Sequence, residues 1–322
     1  MTTNRTDNHK AQLDLLRKIL RIRIFEERVL QLRLEGFIVG SVHLCIGQEA
    51  IPVGTCAVLG PQDVVFATYR GHGWAIACGT PLEALFAELM GRATGTNGGR
   101  AGSAYLSAPD YRFYGENSIV GAGAPIAVGA ALASRYQGSN RVVISAFGDG
   151  AMNQGAVHEA MNFAAAFDLP VVFICENNRY SELTLTARMV RSDRFYERAV
   201  ALGIPGQRVD GNDPEAVMEA VEKALQLARQ GGGPSFIEAM TARLVGHYVG
   251  DPETYRAPGE LDALRKVEPV AALRERLLAS GVPREAIDTI EAEVRLEVDT
   301  AVKAALAAPL ADPAAVREHL YG

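Results

Sequence analysis

The stretch from Gly148 to Tyr180, GDGAMNQGAVHEAMNFAAAFDLPVVFICENNRY, constrains this chain more than any other. Gly-Asp-Gly follows a short β-branched apolar run, Val142 to Phe147, and Asn-Asn follows a second, Val171 to Cys175. Buried parallel strands have this composition. Between the runs, Ala156, Ala160, Phe163 and Phe167 recur at helical spacing, with Val157, Met161 and Ala164 as a second apolar row. This predicts a helix buried on two faces, starting just after the Gly-Asp-Gly turn. The layout brings Asp149 and Asn178 together at the carboxyl ends of two neighbouring parallel strands, where open α/β sheets bind ligands. A carboxylate and an amide oxygen there suit a hard divalent cation, and Mg commonly takes one or two such groups together with substrate phosphates. The glycines let the backbone approach those phosphates, and the helix start aims free amides and a dipole at them.

This segment resembles the thiamine diphosphate fingerprint, a GDG followed at this spacing by NN. The resemblance implies that Asp149, Asn178 and the backbone carbonyl of Tyr180 hold Mg, with Gly148, Gly150 and Ala151 at the diphosphate. Over nearly its whole length the chain resembles the α subunit of the thiamine-dependent first component of 2-oxo acid and acetoin dehydrogenase complexes. The further landmarks are His43 to Ala50 (HLCIGQEA), Thr68 to Gly73 (TYRGHG), Asn117 to Gly121 (NSIVG) and Gly246 to Arg256 (GHYVGDPETYR), with Asp312-Pro313 and an amphipathic N-terminal helix also fitting. The family's fold would be α/β, a mostly parallel sheet with helices on both faces plus helical extensions at each end. By the same resemblance Tyr69 and Arg70 contact the diphosphate, Arg70 through a charge-assisted fork. Ser118 and Val120 belong to the cofactor-binding set, Val120 through a backbone facing the aminopyrimidine.

His43 and His247 are the acid–base candidates, and His247 also counts among the cofactor contacts. An imidazole suits proton movement or oxyanion stabilisation near neutral pH. Which of the two serves decarboxylation or alcohol deprotonation, and which reductive transfer to a lipoyl group, stays open. His72 fits equally a structural part in its turn, and His158 a packed helix flank.

A chain of 322 residues can form one large α/β domain or two smaller ones. No linker between autonomous units and no repeat is visible, so 1–322 reads as one domain, with a helical arm over 1–40 and a helical tail over 259–322. The net charge of −6 argues against general nucleic-acid affinity. No apolar run reaches membrane-spanning length, and the polar first ten residues lack a signal-peptide core. Cys45, Cys56, Cys78 and Cys175 form no CxxC pair and read as reduced thiols of a cytoplasmic enzyme.

Along the chain a packing helix is expected from about Leu13 to Leu34. Gly91 to Ser118, rich in Gly, Ser, Asn and Tyr, reads as a functional loop near the cofactor or a neighbouring subunit. A small-residue helix follows over Val120 to Arg135. Its Gly121-Ala-Gly123 lacks the preceding strand, the spacing and the proline-free pattern of a dinucleotide turn. A helix near Ser192 to Leu202 comes next. Ser235 to Met240 (SFIEAM) then reads as a last inner strand, delivering Arg243 and His247 to the same sheet edge.

Thiamine diphosphate supplies an ylid that adds to a ketone or 2-oxo acid carbonyl and then acts as electron sink. Ylid formation needs a carboxylate beside the pyrimidine ring, and only the diphosphate-binding half of that machinery is found here. In the resembled family the glutamate belongs to a separate β subunit, so the chain is expected to act only as two α and two β chains, with cofactor at their interface. Small 2-oxo acid or acetoin substrates and a lipoyl acyltransferase core are the other implied partners. The GHYVGDPETYR loop is closest to the acetoin and bacterial pyruvate types, with a branched-chain 2-oxo acid as the nearest rival. A non-catalytic scaffold and a nicotinamide enzyme on a similar sheet are the readings from other classes. The sequence departs from the family at Ser118 and Ser181, where glycine is usual. It departs again at Tyr248 and Gly250, where the mitochondrial enzymes carry phosphorylated serines, so that charge switch is expected to be missing.

Overall fold

A computed structural model describes residues 5–318; residues 1–4 of the expected arm and 319–322 of the expected tail lie outside them. Eight strands are formed: β1 (Val64–Thr68), β2 (Phe113–Asn117), β3 (Val143–Gly148), β4 (Val171–Asn177), β5 (Tyr180–Ser181), β6 (Thr184–Leu185), β7 (Gly206–Asp210) and β8 (Ser235–Met240). The helices up to the middle of the chain are α1 (Arg5–Leu34), α2 (Ala50–Ala57), α3 (His72–Ala77), α4 (Leu82–Leu89), α5 (Gly123–Tyr136) and α6 (Gly155–Ala166). Those beyond are α7 (Tyr196–Val200), α8 (Pro214–Arg229), α9 (Glu260–Leu264), α10 (Pro269–Ala279) and α11 (Arg284–Ala307).

Six strands form one sheet in the order β2-β1-β3-β4-β8-β7, every neighbour parallel, while β5 and β6 make a separate hairpin. The apolar runs behave as their composition requires, since every residue of β4 is buried. One face of the sheet is covered by α1, α2, α3, α4, α8, α10 and α11, the other by α5, α6 and α7. Among the described residues no helix is long and apolar enough to cross a membrane.

Register fixes where the site can be. Gly148 pairs with Glu176 and Asn177 with Met240, so the segments after β3, β4 and β8 leave the sheet at one edge. Thr68 pairs with Asn117, which sends Tyr69 and Ser118 out at that edge as well.

Several expectations need correction. The helix after Gly-Asp-Gly does not begin at once: a 3-10 turn over Asp149–Asn153 intervenes, and α6 starts only at Gly155. The amides nearest the turn therefore belong to the 3-10 segment. Of α6's two apolar rows, Val157, Ala160, Met161 and Ala164 are buried, while Phe163 and Phe167 are 41% and 48% exposed and pack on each other. The helix near Ser192 to Leu202 shrinks to the short α7, and α5 begins at Gly123. The stretch Gly91 to Ser118 is mostly irregular, but Phe113–Asn117 adds the edge strand β2, whose Gly115 and Glu116 conceal it from a composition-based reading. The strands β1 and β7 were not anticipated either.

What orders that long irregular stretch is one carboxylate. Glu88, buried at the end of α4, accepts the backbone N–H of Asn97 (2.7 Å) and Gly99 (2.9 Å) on Oε2, and of Ala101 (2.7 Å) and Gly102 (3.2 Å) on Oε1. A loop without periodic apolar residues must satisfy its amides locally, and a charged acceptor does so more strongly than a neutral one. Glu88→Gln turns one oxygen into a donor facing N–H groups, and should cost about 2 kcal/mol of stability. The check is paired: the thermal midpoint should fall, and trypsin should cut after the exposed Arg100 faster than in the parent.

Candidate active site

At the carboxyl edge of β1, β3, β4 and β8 lies a cleft enclosing about 660 Å³ of space continuous with solvent. The Gly148–Ala151 turn forms its floor. Tyr69, Arg70, Val120, Asn178, Tyr180 and His247 also line it. His43 stands beside it, its ring 4.4 Å from Tyr69 and 4.9 Å from His247. Of the expected residues, His43 and Ser118 are not in the lining; the Ser118 hydroxyl donates instead to the carbonyl of Ala104 at 3.3 Å.

Asp149 is 1% exposed, and its carboxylate accepts the Thr186 hydroxyl. Burial pushes its pKa upward, against the Thr186 hydroxyl, nearby backbone N–H groups and the charge of Arg243, which together only partly offset the lost hydration. The Asn178 carboxamide is oriented at both ends, with Oδ1 accepting from Tyr180 N–H (3.0 Å) and Nδ2 donating to Gln48 Oε1 (2.9 Å). Gln48 Nε2 and the Trp74 indole N–H approach Glu176 at 3.5 and 3.3 Å, and burial lifts the Glu176 carboxyl to about 7 despite them. Among the described residues no three His, Cys, Asp or Glu side chains converge as a metal cluster. The donor set at this edge is one carboxylate with amide and carbonyl oxygens, a partial shell of the kind Mg completes with phosphate and water. The residues therefore fit a Mg-diphosphate group.

The same cleft carries two buried cations. Arg70 is buried and spends its guanidinium on backbone, Nη1 donating to Leu44 O (2.5 Å) and Nη2 to His247 O (3.0 Å). Arg243, 1% exposed, donates to Glu182 O (3.0 Å) and the Tyr255 hydroxyl (2.7 Å), with Nη1 3.0 Å from His247 Nδ1. Neither forms an ion pair among the described residues, whereas the neighbouring Arg256 pairs with Glu253 and Glu260. Two buried guanidiniums without a carboxylate leave positive charge that an anionic ligand would offset. Their effect is visible on the imidazoles. Burial first and then Arg70 lower His43 to about 3 and His247 to about 4, the latter helped by Arg243. Both rings are neutral near pH 7, and His43 Nδ1 is buried without a partner.

Next to this site, but not in it, lies a buried polar chain. His72 Nδ1 is 3.0 Å from Glu26 and its Nε2 2.9 Å from the Ser103 hydroxyl. Although burial opposes ionisation of each, Glu26 is lowered by His72 and His72 raised by Glu26, so the two form an ion pair. The serine therefore faces an imidazolium, which cannot take its proton, and the role is structural: it joins α1, α3 and the Glu88-ordered loop. His158 bonds its own helix through Gln154 O (3.2 Å) and takes no part.

Sequence reasoning left Gln48, Glu176 and Glu182 out of the site and placed Arg243 only at its edge, yet all four line the cleft. A polar residue inside an apolar strand was a usable signal for Glu176. Glu182 gave none, because it enters through the tight β5–β6 turn, where it sits at φ 53°.

Such a cleft, at the edge where a doubly wound sheet binds ligands, defines an α/β enzyme built to hold a cofactor diphosphate. The dehydrogenase E1 component family model matches residues 17–314, and the chain belongs to that family of thiamine diphosphate-dependent oxidoreductases. It is 42% identical to the α subunit of acetoin:2,6-dichlorophenolindophenol oxidoreductase from Cupriavidus necator, over 96% of this chain and 93% of the relative. The counterpart in Bacillus subtilis is 42% identical over 89% of this chain and 86% of the relative. The pyruvate dehydrogenase E1 component α subunit of Rhizobium meliloti is 41% identical over 88% and 82%.

The neutral histidines give a pH prediction. Their folded pKa values lie below the unfolded value of about 6.5, so the unfolded chain binds protons first. Their contribution to stability is complete above that value and is lost as pH falls toward about 4. The thermal midpoint should drop between about pH 6.5 and 4.5, and His43→Asn/His247→Asn should flatten that slope.

Proposed function

We propose that this chain is the α subunit of a thiamine diphosphate- and Mg-dependent dehydrogenase that acts on pyruvate or acetoin and passes the acyl group to lipoyl-lysine of a partner acyltransferase. The observation that carries the reading is that one cleft is lined by two buried arginines without ion pairs together with the buried Asp149 carboxylate. That charge pattern matches a metal-bound diphosphate. The names of the relatives support the substrate choice. No lining residue favours the branched-chain, scaffold or nicotinamide alternatives.

Thiamine diphosphate, when bound, would supply the carbon nucleophile and electron sink. The chain's own residues would do the rest. Asp149, Asn178 and the Tyr180 carbonyl would hold Mg. Arg70, Tyr69, Gly148, Gly150 and Ala151 would receive the diphosphate, with Arg243 as a further cation, and Val120 would face the pyrimidine through its backbone. His43 and His247, as neutral imidazoles, can donate N–H to an oxyanion on the substrate or accept a proton from it. Ser118 would act indirectly, by tying the NSIVG turn to Ala104.

We further propose that the chain behaves as one domain over 1–322 and works in the cytoplasm as two α and two β chains, the β chain supplying the glutamate that activates the cofactor. Val120 in the cleft lining and its chain neighbour Ile119 (65% exposed) present apolar surface to solvent, as docking of a covering subunit would require. Both sheet faces pack continuously against helices, which supports a single unit.

Co-expression with a β-type chain, followed by turnover with an artificial electron acceptor, tests this. Activity on pyruvate or acetoin that needs both thiamine diphosphate and Mg is expected. Turnover by the α chain alone, or thermal stabilisation by NAD instead, would sink the reading. Asp149→Asn should weaken Mg-dependent cofactor binding by about tenfold or more, equivalent to about 1.4 kcal/mol. A third measurement reads the charge balance: offsetting Arg70 and Arg243 by the diphosphate should raise the His247 pKa from about 4, visible in an imidazole NMR titration with and without cofactor.

A further inference from the structure

Away from the cleft, Cys56 lies in the last turn of α2 and Cys78 directly follows α3, with their sulfurs 3.7 Å apart. All four cysteines are free, and the other two sit elsewhere: Cys45 lies against Gly73 at the opposite end of α3, and Cys175 is inside β4. We propose that Cys56 and Cys78 are a modification site, a dithiol that closes to a reversible intrachain disulfide under a low-molecular-weight disulfide oxidant.

The geometry asks little. A disulfide needs its sulfurs at about 2.05 Å, so side-chain rotation and a small approach of two already packed helix ends suffice. Helices α2 and α3 both begin at the cleft, after Gln48 and after Arg70, and both end at the cysteines. The bond would therefore form about one short helix length, roughly 10 Å, from the cleft. It would close a loop of sequence separation 22 that contains β1 and the Tyr69–Arg70 turn, stapling the segment that presents Arg70.

Cys56 is the partly buried partner, Cys78 the buried one, so Cys56 is the point of attack. Its thiolate displaces one thiol from the oxidant and forms a mixed disulfide. The Cys78 thiolate then attacks the Cys56 sulfur and displaces the second thiol. Two electrons pass to the oxidant, and the two protons lost by the cysteines end on the two released thiols. The hydrogen bond to Cys78 and burial hold the Cys56 thiol well above its usual range, so exchange should be slow at neutral pH and faster as pH rises.

The test uses the α–β complex incubated with oxidised glutathione at about pH 7 and about pH 8.5. Non-reducing peptide mapping should find a Cys56–Cys78 linked peptide, formed faster at the higher pH and removed by dithiothreitol. The midpoint of thermal unfolding should rise by roughly 5 °C, since the link restricts the unfolded chain. Cys56→Ser, Cys56→Ala and Cys78→Ala should each abolish both effects while matching the midpoint of the reduced parent. A glutathione adduct persisting on Cys56 with Cys78 free overturns the proposal, as does an unchanged thiol count or a link involving Cys45 or Cys175. If one variant fails to fold, the linked peptide of the parent protein decides alone.

Discussion

The parallel pairing of β3 with β4, with Gly148 opposite Glu176, is the constraint on which the rest of this molecule depends. It places two polar turns, one built around Asp149 and the other around Asn178, side by side at the carboxyl edge of an otherwise apolar sheet. A slip of one residue would turn every β4 side chain to the other face and break up the buried cluster around Phe173 and Ile174. Core packing therefore enforces site geometry: the hydrophobic alternation that stabilises the sheet also sets the spacing between the oxygens at its end.

Around those oxygens the charge is left unbalanced. Elsewhere several buried charges are paired, as Glu26 with His72 and Arg23 with Glu49 and Glu268 show. In the cleft Asp149, Arg70 and Arg243 have no such ion-pair partners: burial and then the arginine charges keep His43 and His247 neutral, while burial, opposed by Arg70, lifts the Glu176 carboxyl to about 7. Such unsatisfied electrostatics cost stability, and they are what a site looks like when it is preorganised for a group that carries both signs of charge. The exposed apolar side chains of Ile119 and Val120 belong to the same logic, because a cleft of this kind works only when water is excluded from it.

Much of this was legible in the residues. The two apolar runs and their turns announced β3, β4 and the ligand edge, and SFIEAM announced β8, because buried parallel strands leave little choice of composition. The edge strands β2 and β7 were missed for the converse reason: they are half-exposed and carry Gly, Glu and Arg, so no clean pattern marks them, whereas the inner strand β1 (VVFAT) carries the apolar signature and is simply short. The helix after Gly-Asp-Gly was placed too early because a 3-10 turn leaves no mark in a periodicity of three to four residues. Phe163 and Phe167 were assigned to a buried face, although apolar residues at helical spacing say only which face they share, not whether this chain covers it.

What the sequence determined by itself was the chemistry available: an Asp, an Asn and glycines at strand ends, with arginines and histidines in recognisable short segments. What only the tertiary structure decided was which of those groups meet and in what state of charge. Ser118 turns to Ala104 while Gln48 and Glu182 enter the cleft, and Arg70 and Arg243 go unpaired while Arg256 does not. The physical reason is that a side chain's partners are set by contacts between residues far apart in the chain. Gln48 meets Asn178 across a sequence separation of 130, and Arg70 meets His247 across 177. Local spacing carries no record of either encounter; the packed sheet and its register create them.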